Sequence, residues 1–261
     1  MKQKIYTTSH AAELLKEIGN TERKFTAAEH SYITEKEFGQ TVFTSKELLL
    51  RHFLQENWQK IGSLVILREI VEKNKFRNIL SLGAGQCVLE YLLKISIPKV
   101  EVFASDFDSF CVEKAKQFFP EITAIQFDFD MDDVVSLKQK LGVEIDSAVF
   151  FGSAGVMDDL PFIDLFSNLR KIGVKHIVDF HGGFMDAKGV IKYFLKPLTA
   201  NTAIRKLFGK PHMGKGKFHA YLRSRGELRR LYRDSGWDIL REISAPSYKY
   251  VTILGLPLSL T

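Results

Sequence analysis

Residues 79–87, Ile-Leu-Ser-Leu-Gly-Ala-Gly-Gln-Cys, carry a short apolar run into a glycine turn and then into a helical pattern. Glycines at 83 and 85 let the backbone approach a ligand closely, and the helix start beyond them offers unpaired amides to an anionic or polar group. Taken alone, such a turn is equally a tight strand-to-helix connection. Asp106 ends the next apolar run, Val-Glu-Val-Phe-Ala-Ser-Asp, 23 residues after Gly83. A carboxylate at that place can accept from both hydroxyls of a ribose, although a single aspartate at a strand end is more often a turn or cap residue. Asp128 closes Ile-Thr-Ala-Ile-Gln-Phe-Asp, 22 residues further on. A glycine turn and two acids at three successive strand tips share one edge of one sheet, and that edge is where open α/β sheets bind ligands.

Two further groups could move a proton. His181 follows the apolar run His-Ile-Val-Asp-Phe; imidazole titrates near neutrality and could take a hydroxyl proton, or it could simply close the strand. Asp158 and Asp159 follow the run that ends at Phe151. Asp158 is the candidate at the reacting end, and Asp159 is well placed to cap the helix that begins near Leu160. His176 falls on the strand itself, as a structural residue.

Elements that would hold these residues can be traced through the middle of the chain. Strands are expected at 78–82, 100–105, 122–127, 145–151 and 174–180, and helices at 87–95, 109–118, 131–141 and 160–171. The last of these helices lines up Leu160, Ile163, Phe166 and Leu169 on one face. Five strand–helix alternations predict a mostly parallel sheet covered on both faces. Ser224-Arg225-Gly226-Glu227 is a capping box that opens a helix ending at Gly236. Strands at 237–243 and 248–254 follow, and their short connection requires an antiparallel pair.

The first 75 residues read as helices. Thr26-Ala27-Ala28-Glu29, Thr34-Glu35-Lys36-Glu37 and Thr44-Ser45-Lys46-Glu47 match the capping-box pattern. Apolar residues at 50, 53, 54, 58, 61 and 65 predict one long amphipathic helix after Thr44.

Composition narrows the class. With 261 residues, 45% apolar and 26% charged, the chain suits one globular domain with an accessory part. Two cysteines, Cys87 and Cys111, cannot build a disulfide framework or a cysteine-rich metal site, so no metal is expected. The start, Met-Lys-Gln-Lys-Ile-Tyr, has no apolar run behind it, and no stretch is long enough to span a bilayer; a cytoplasmic protein is expected. Charge is uneven. Residues 76–187 carry ten basic and seventeen acidic side chains, whereas 188–233 carry thirteen basic ones and only Glu227 against them. The basic stretch, interleaved with aromatics, points to an anionic partner at one place, although a charge run is commonly no more than a solvated face.

Residues 76–183 and 224–255 resemble a class I S-adenosylmethionine-dependent methyltransferase. The likeness rests on Leu-Ser-Leu-Gly-Ala-Gly-Gln-Cys, the tips Ala-Ser-Asp at 104–106 and Gln-Phe-Asp at 126–128, the run 146–162, and the antiparallel ending. It implies an α/β Rossmann-like fold: seven strands, mostly parallel with an antiparallel last strand, ordered 3-2-1-4-5-7-6. A helical N-terminal cap at 1–75 would precede a methyltransferase domain at 76–261 with a basic insertion at about 184–222. It further implies that Gly83, Ala84 and Gly85 lie under the methionine part of S-adenosylmethionine, that Asp106 holds the ribose with Phe107 beside it, and that Asp128 accepts from the adenine amino group. Phe129 would flank the ring, and Gly152 would complete the set. Two departures stand out: Ser81 occupies a position where most members have an acid, and Cys87 replaces a third glycine.

The expectation is methyl transfer to a small, anionic metabolite held between cap and insertion, with His181 and Asp158 as candidates for the proton chemistry. RNA is the alternative acceptor, a macromolecule gripped by the basic insertion. A nicotinamide-binding Rossmann protein and a non-catalytic cofactor binder are the remaining readings. Val88 stands where the nicotinamide fingerprint wants Gly or Ala, which weighs against the former. No Asn-Pro-Pro-Tyr-like motif follows the fourth parallel strand, which weighs against attack by an exocyclic base amine.

Overall fold

Runs such as Asn78–Leu82 and His176–His181 are buried along nearly their whole length. That is the signature of strands covered on both faces. A computed structural model of the chain describes residues 2–6, 26–58, 60–129, 131–181, 218–245, 248 and 250–257. In chain order the elements are β1 (Lys2–Tyr6), α1 (Ala27–Phe38), α2 (Lys46–Asn57), α3 (Lys60–Asn74), β2 (Asn78–Leu82), α4 (Val88–Ser96), β3 (Glu101–Asp106), α5 (Ser109–Phe118), β4 (Thr123–Gln126) and α6 (Val134–Leu141). They continue with β5 (Ser147–Phe151), a 3₁₀ turn (Ser153–Val156), α7 (Asp159–Lys171), β6 (His176–His181), β7 (Phe218–Arg223), α8 (Arg225–Asp234), β8 (Asp238–Ser244) and β9 (Tyr250–Gly255).

Seven strands form one sheet in the order β4-β3-β2-β5-β6-β9-β8. Counted within that sheet alone, this is 3-2-1-4-5-7-6, as the resemblance implies. β2 pairs in parallel with β3 on one side and β5 on the other, so the chain direction switches at β2 and opens a crevice at its carboxyl end. β9 runs antiparallel to both β6 and β8.

Side-chain alternation splits the core between the two faces of the sheet. Ile79, Val178 and Phe180 join the cluster with α2 to α5, including Phe43, Phe53, Leu67 and Val112. Leu80, Leu82 and Ile177 join the opposite one with α6 to α8, where Phe162 stacks on Phe166 at 4.1 Å between ring centroids.

Several expectations are corrected. β1 is a strand, not part of a helical start: it pairs antiparallel with β7 in a separate two-stranded sheet. The single helix after Thr44 is two helices. Leu54, Trp58 and Val65 of the expected stripe are 49%, 64% and 54% exposed, while burial falls on Leu49 and Phe53 in α2 and on Leu64, Leu67, Ile70 and Val71 in α3. Each half therefore follows its own buried face. Thr26 caps α1 through a full capping box. At the third box the cap is Ser45, not Thr44. Thr34 of the second lies inside α1 and is bound to Asp108 instead. Of the basic insertion, residues 184–217 lie outside the described residues.

Candidate functional site

The glycine turn is shaped by the strand beside it. The Gly83 and Ala84 amides donate to the Ser105 carbonyl at 2.8 and 2.9 Å. Gly83 (φ +69°) and Gly85 (φ +55°) both lie in left-handed space, which favours glycine. A Cβ at Gly83 would collide with Ser153 and lie 3.2 Å from the Phe129 ring, so a side chain is excluded there by crowding as well as by φ. Ser153, just past β5, donates to the Leu82 carbonyl and ties the first tip to the fourth. Cys87, in the third-glycine position, also takes a left-handed conformation, φ +56°, and it caps α4 without a side-chain bond.

Asp106 ends β3, almost wholly buried. Its Oδ2 accepts from the Gly85 amide at 2.7 Å and its Oδ1 from the Asp108 amide at 2.9 Å. Burial raises this carboxyl above its ordinary range, and the two amides oppose that shift. Each oxygen retains a lone pair for a hydroxyl donor.

The other expected residues lie as follows. Phe107 is half-buried, its ring 4.8 Å from that of His30 in α1. Asp128 sits two residues past β4, in a loop closed by its own amide donating to Asp132 at 2.8 Å. Phe129 is half-buried between Gly83 and Phe150. Gly152, φ +83°, follows β5 directly, with the Tyr248 ring 3.1 Å from where a Cβ would stand. Gly83, Gly85, Asp106 and Phe129 are thus brought together, and Gly152 joins them at the next tip.

His181 ends β6, buried on the side of the sheet that faces α7 and α8. Tyr232 of α8 donates to Asp179 Oδ2 at 2.9 Å, so its oxygen is left to accept from His181 Nε2–H. That tautomer puts the imidazole lone pair at Nδ1. Burial holds His181 below its usual value, so the ring is neutral at neutral pH, and it pushes Asp179 up. Asp158 occupies the cap position of α7 without a side-chain cap bond and instead accepts from Tyr221 of β7. Asp159, expected as the cap, lies inside the first turn and pairs with Arg223 and Arg230.

Three features escaped the sequence. One is the carboxylate of Asp108, which accepts from Ser31 Oγ at 2.7 Å and Thr34 Oγ1 at 2.8 Å and meets His30 Nδ1 at 2.8 Å, docking α1 on the loop after Asp106. The second is Glu90 of α4, buried against Ser81. The third is the Tyr232–Asp179–His181 cluster. The run His-Ser-x-x-Thr at 30–34 gave no warning of the first. A buried serine in β2 facing a glutamate among the apolar residues of α4 could have announced the second. Among the described residues no cluster of metal-ligating side chains occurs.

This strand order, with a glycine turn at the switch point and acids on the next two tips, is the fold of the class I S-adenosylmethionine-dependent methyltransferases. The chain aligns over 95% of its length with human N-acetylserotonin methyltransferase in complex with SAM, at a TM-score of 0.53 and 16% identity, and over 94% with the mitomycin 7-O-methyltransferase MmcR, at 0.54 and 12%. It spans 65% and 66% of those two chains. Magnesium protoporphyrin IX methyltransferase from Synechocystis with bound SAH matches over 95% of this chain and 94% of its own, at 0.51 and 14% identity. No family model and no curated protein matches the sequence. Among the described residues no helix is long and apolar enough to cross a membrane.

Proposed function

We propose that the protein transfers a methyl group from S-adenosylmethionine to a small acceptor that carries a negative group. The observation that carries this reading is the Gly85–Asp106 bond at the sheet's switch point. It sets a buried carboxylate with free lone pairs against a turn whose two glycines both take left-handed φ. These residues suit the cofactor: Gly85 has open space beside its backbone, Asp106 offers oxygens to a ribose diol, Asp128 lies at the third tip for the adenine amino group, and the Phe129 ring stands beside Gly83.

When bound, the cofactor would supply a sulfonium methyl for in-line transfer to the acceptor. The protein's part is to position the acceptor and exclude water. Gly152 and the turn Ser153–Val156 lie at the tip next to the glycine turn, where an acceptor would approach, and β7 packs on that turn with the Tyr221 carbonyl 3.7 Å from a would-be Cβ of Gly155. If the acceptor is a hydroxyl, its proton goes to His181. Asp179, 3.4 Å away, would stabilise the imidazolium that forms. Asp158, fixed by Tyr221, is the second polar group on this side. The anionic character of the acceptor rests on the basic stretch 188–233. Structural neighbours named for N-acetylserotonin, mitomycin and magnesium protoporphyrin IX support a small molecule over RNA. Incubation with methyl-labelled S-adenosylmethionine and separate pools of carboxylate metabolites, phosphate metabolites and RNA tests the reading. Label in a small anion is expected, and label in RNA alone would transfer the case to a nucleic-acid acceptor.

A further inference from the structure

Arg223 closes β7 as a buried cation with part of its donor set unused. Its Nε and Nη2 donate to Asp159 Oδ1 at 3.4 and 3.0 Å, and Nη2 also donates to the Met157 carbonyl. Nη1, equally buried, has no partner among the described residues. A guanidinium does not shed its charge, so this nitrogen keeps two N–H donors that nothing accepts. Donors left so in a protein interior are costly unless something binds them. Rings wall the group: its carbon lies 5.0 Å from the centre of the Tyr221 ring and 5.7 Å from that of Phe162. Asp159 does not balance this charge alone, because its other oxygen accepts from Arg230 at 3.3 Å. Two guanidiniums thus share one carboxylate.

Met157 caps the Ser153–Val156 turn at its carboxyl end, and Tyr221, two residues before Arg223, packs its carbonyl on Gly155 of the same turn. Arg223 is therefore anchored to the tip where the acceptor would approach. The two other acids on this side are engaged: Asp158 by Tyr221, and Asp179 by Tyr232, with burial pushing the Asp179 carboxyl up. Building on the methyl transfer proposed above, we infer that Arg223 is the receptor for the acceptor's negative group, with the Nη1 N–H groups donating to an anionic oxygen of a carboxylate or phosphate. Asp159 and the Met157 carbonyl fix the guanidinium through its other nitrogens, so little order has to be created on binding. An acceptor held in this way is selected for its charge by Arg223, separately from the residues that would hold the cofactor.

The test titrates simple anions into the full chain saturated with S-adenosylhomocysteine. Benzoate and phenyl phosphate are compared by calorimetry at constant ionic strength on wild type, Arg223→Gln and Arg223→Lys, with benzamide as the uncharged control. Wild type should bind at least one of the anions and not benzamide, and the tighter anion identifies the group. Each variant should lose about 10-fold or more in affinity for that anion, the size of one charged hydrogen bond, with S-adenosylhomocysteine affinity unchanged within about twofold by the same reasoning. Equal anion affinity in wild type and variants would put the anion on the basic stretch instead and overturn the assignment, as would benzamide binding as tightly as benzoate or no anion binding to wild type. Because Arg223 is buried, thermal melts accompany the titrations; should Arg223→Gln fail to fold, Arg223→Lys, which keeps a cation against Asp159 but lacks the second nitrogen for the anion, decides alone. Wild type that does not bind S-adenosylhomocysteine would strike down the cofactor reading, and this inference with it, a result distinct from variants that bind the anion as wild type does.

Discussion

Asp106 and Gly85 are joined by a 2.7 Å bond from the glycine amide to the carboxylate, across the ends of two neighbouring parallel strands. The carboxylate therefore orders the turn before any ligand arrives, and the turn fixes the carboxylate's direction. Gly83, crowded by Ser153 and Phe129, completes the same unit. Pre-ordered groups of this kind lower the entropy cost of binding.

Asp108 should be a stability determinant of the cap. Its side chain is fully buried, caps α5 by accepting from Phe110 and Cys111, and takes the three contacts from α1. Burial would raise its carboxyl, but the bonds from His30, Ser31 and Thr34 outweigh that and hold it well below 3.8. A carboxyl depressed in the folded state contributes stability above its unfolded pKa and loses it as pH falls. Asp108→Ala should cost about 2–4 kcal/mol at neutral pH. In denaturant titrations the difference from wild type should shrink below pH ~4; a difference that does not change with pH would refute the assignment.

The strands were legible because short apolar runs end in Gly, Asp and His, and the sheet order came from the family likeness, not from periodicity. β1 was not legible: Lys-Gln-Lys-Ile-Tyr has no apolar run, and its partner β7 lies at the far end of the chain. The break between α2 and α3 was hidden because exposed Leu54, Trp58 and Val65 mimic a buried stripe. At the site, tip residues could be read one by one, since each follows its strand. Contacts that cross elements, such as His30 on Asp108 or Tyr232 on His181, depend on tertiary placement and leave no local spacing.

Glu90 should make stability depend on pH in the opposite sense. Burial pushes its carboxyl up to about 7, against 4.5 unperturbed. The folded state thus holds the proton more tightly, and stability falls as pH rises from about 4.5 to 7, by roughly 3 kcal/mol. Lys60, Asp106, Cys87 and Tyr248 are coupled electrostatically to the group and are common to wild type and Glu90→Gln. The variant should gain on wild type between about pH 5 and 8 in urea melts. A constant gap between the two proteins across that range would show that Glu90 does not titrate there.

His181→Ala should lower turnover roughly 10²- to 10⁴-fold on a hydroxyl acceptor and leave cofactor affinity unchanged. Burial lowers the imidazole from 6.5, so the acidic limb of the wild-type rate profile should lie below pH 6.5 and vanish in the variant. Full activity with the limb intact would reduce the residue to part of the buried Tyr232 cluster.

Lys206, Lys210, Lys215 and Lys217 carry the expectation of an anionic acceptor. Neutralising all four should raise the acceptor's KM and spare cofactor binding. Wild-type activity should depend weakly on salt; a gel-shift series with generic RNA falling at about −0.7 in log–log slope per phosphate would instead identify a nucleic-acid track. Unaltered KM in the neutralised protein would leave the stretch as a solvated surface.

The most direct test of the account is calorimetric titration of S-adenosylhomocysteine, alongside NAD, into wild type and Asp106→Ala. The account predicts one site on the wild type, no heat with NAD, and a loss of at least about 10-fold in the variant, as expected for removing charged hydrogen bonds to the ribose. Absent binding to wild type, equal affinity in both proteins, or tight binding of NAD would contradict it.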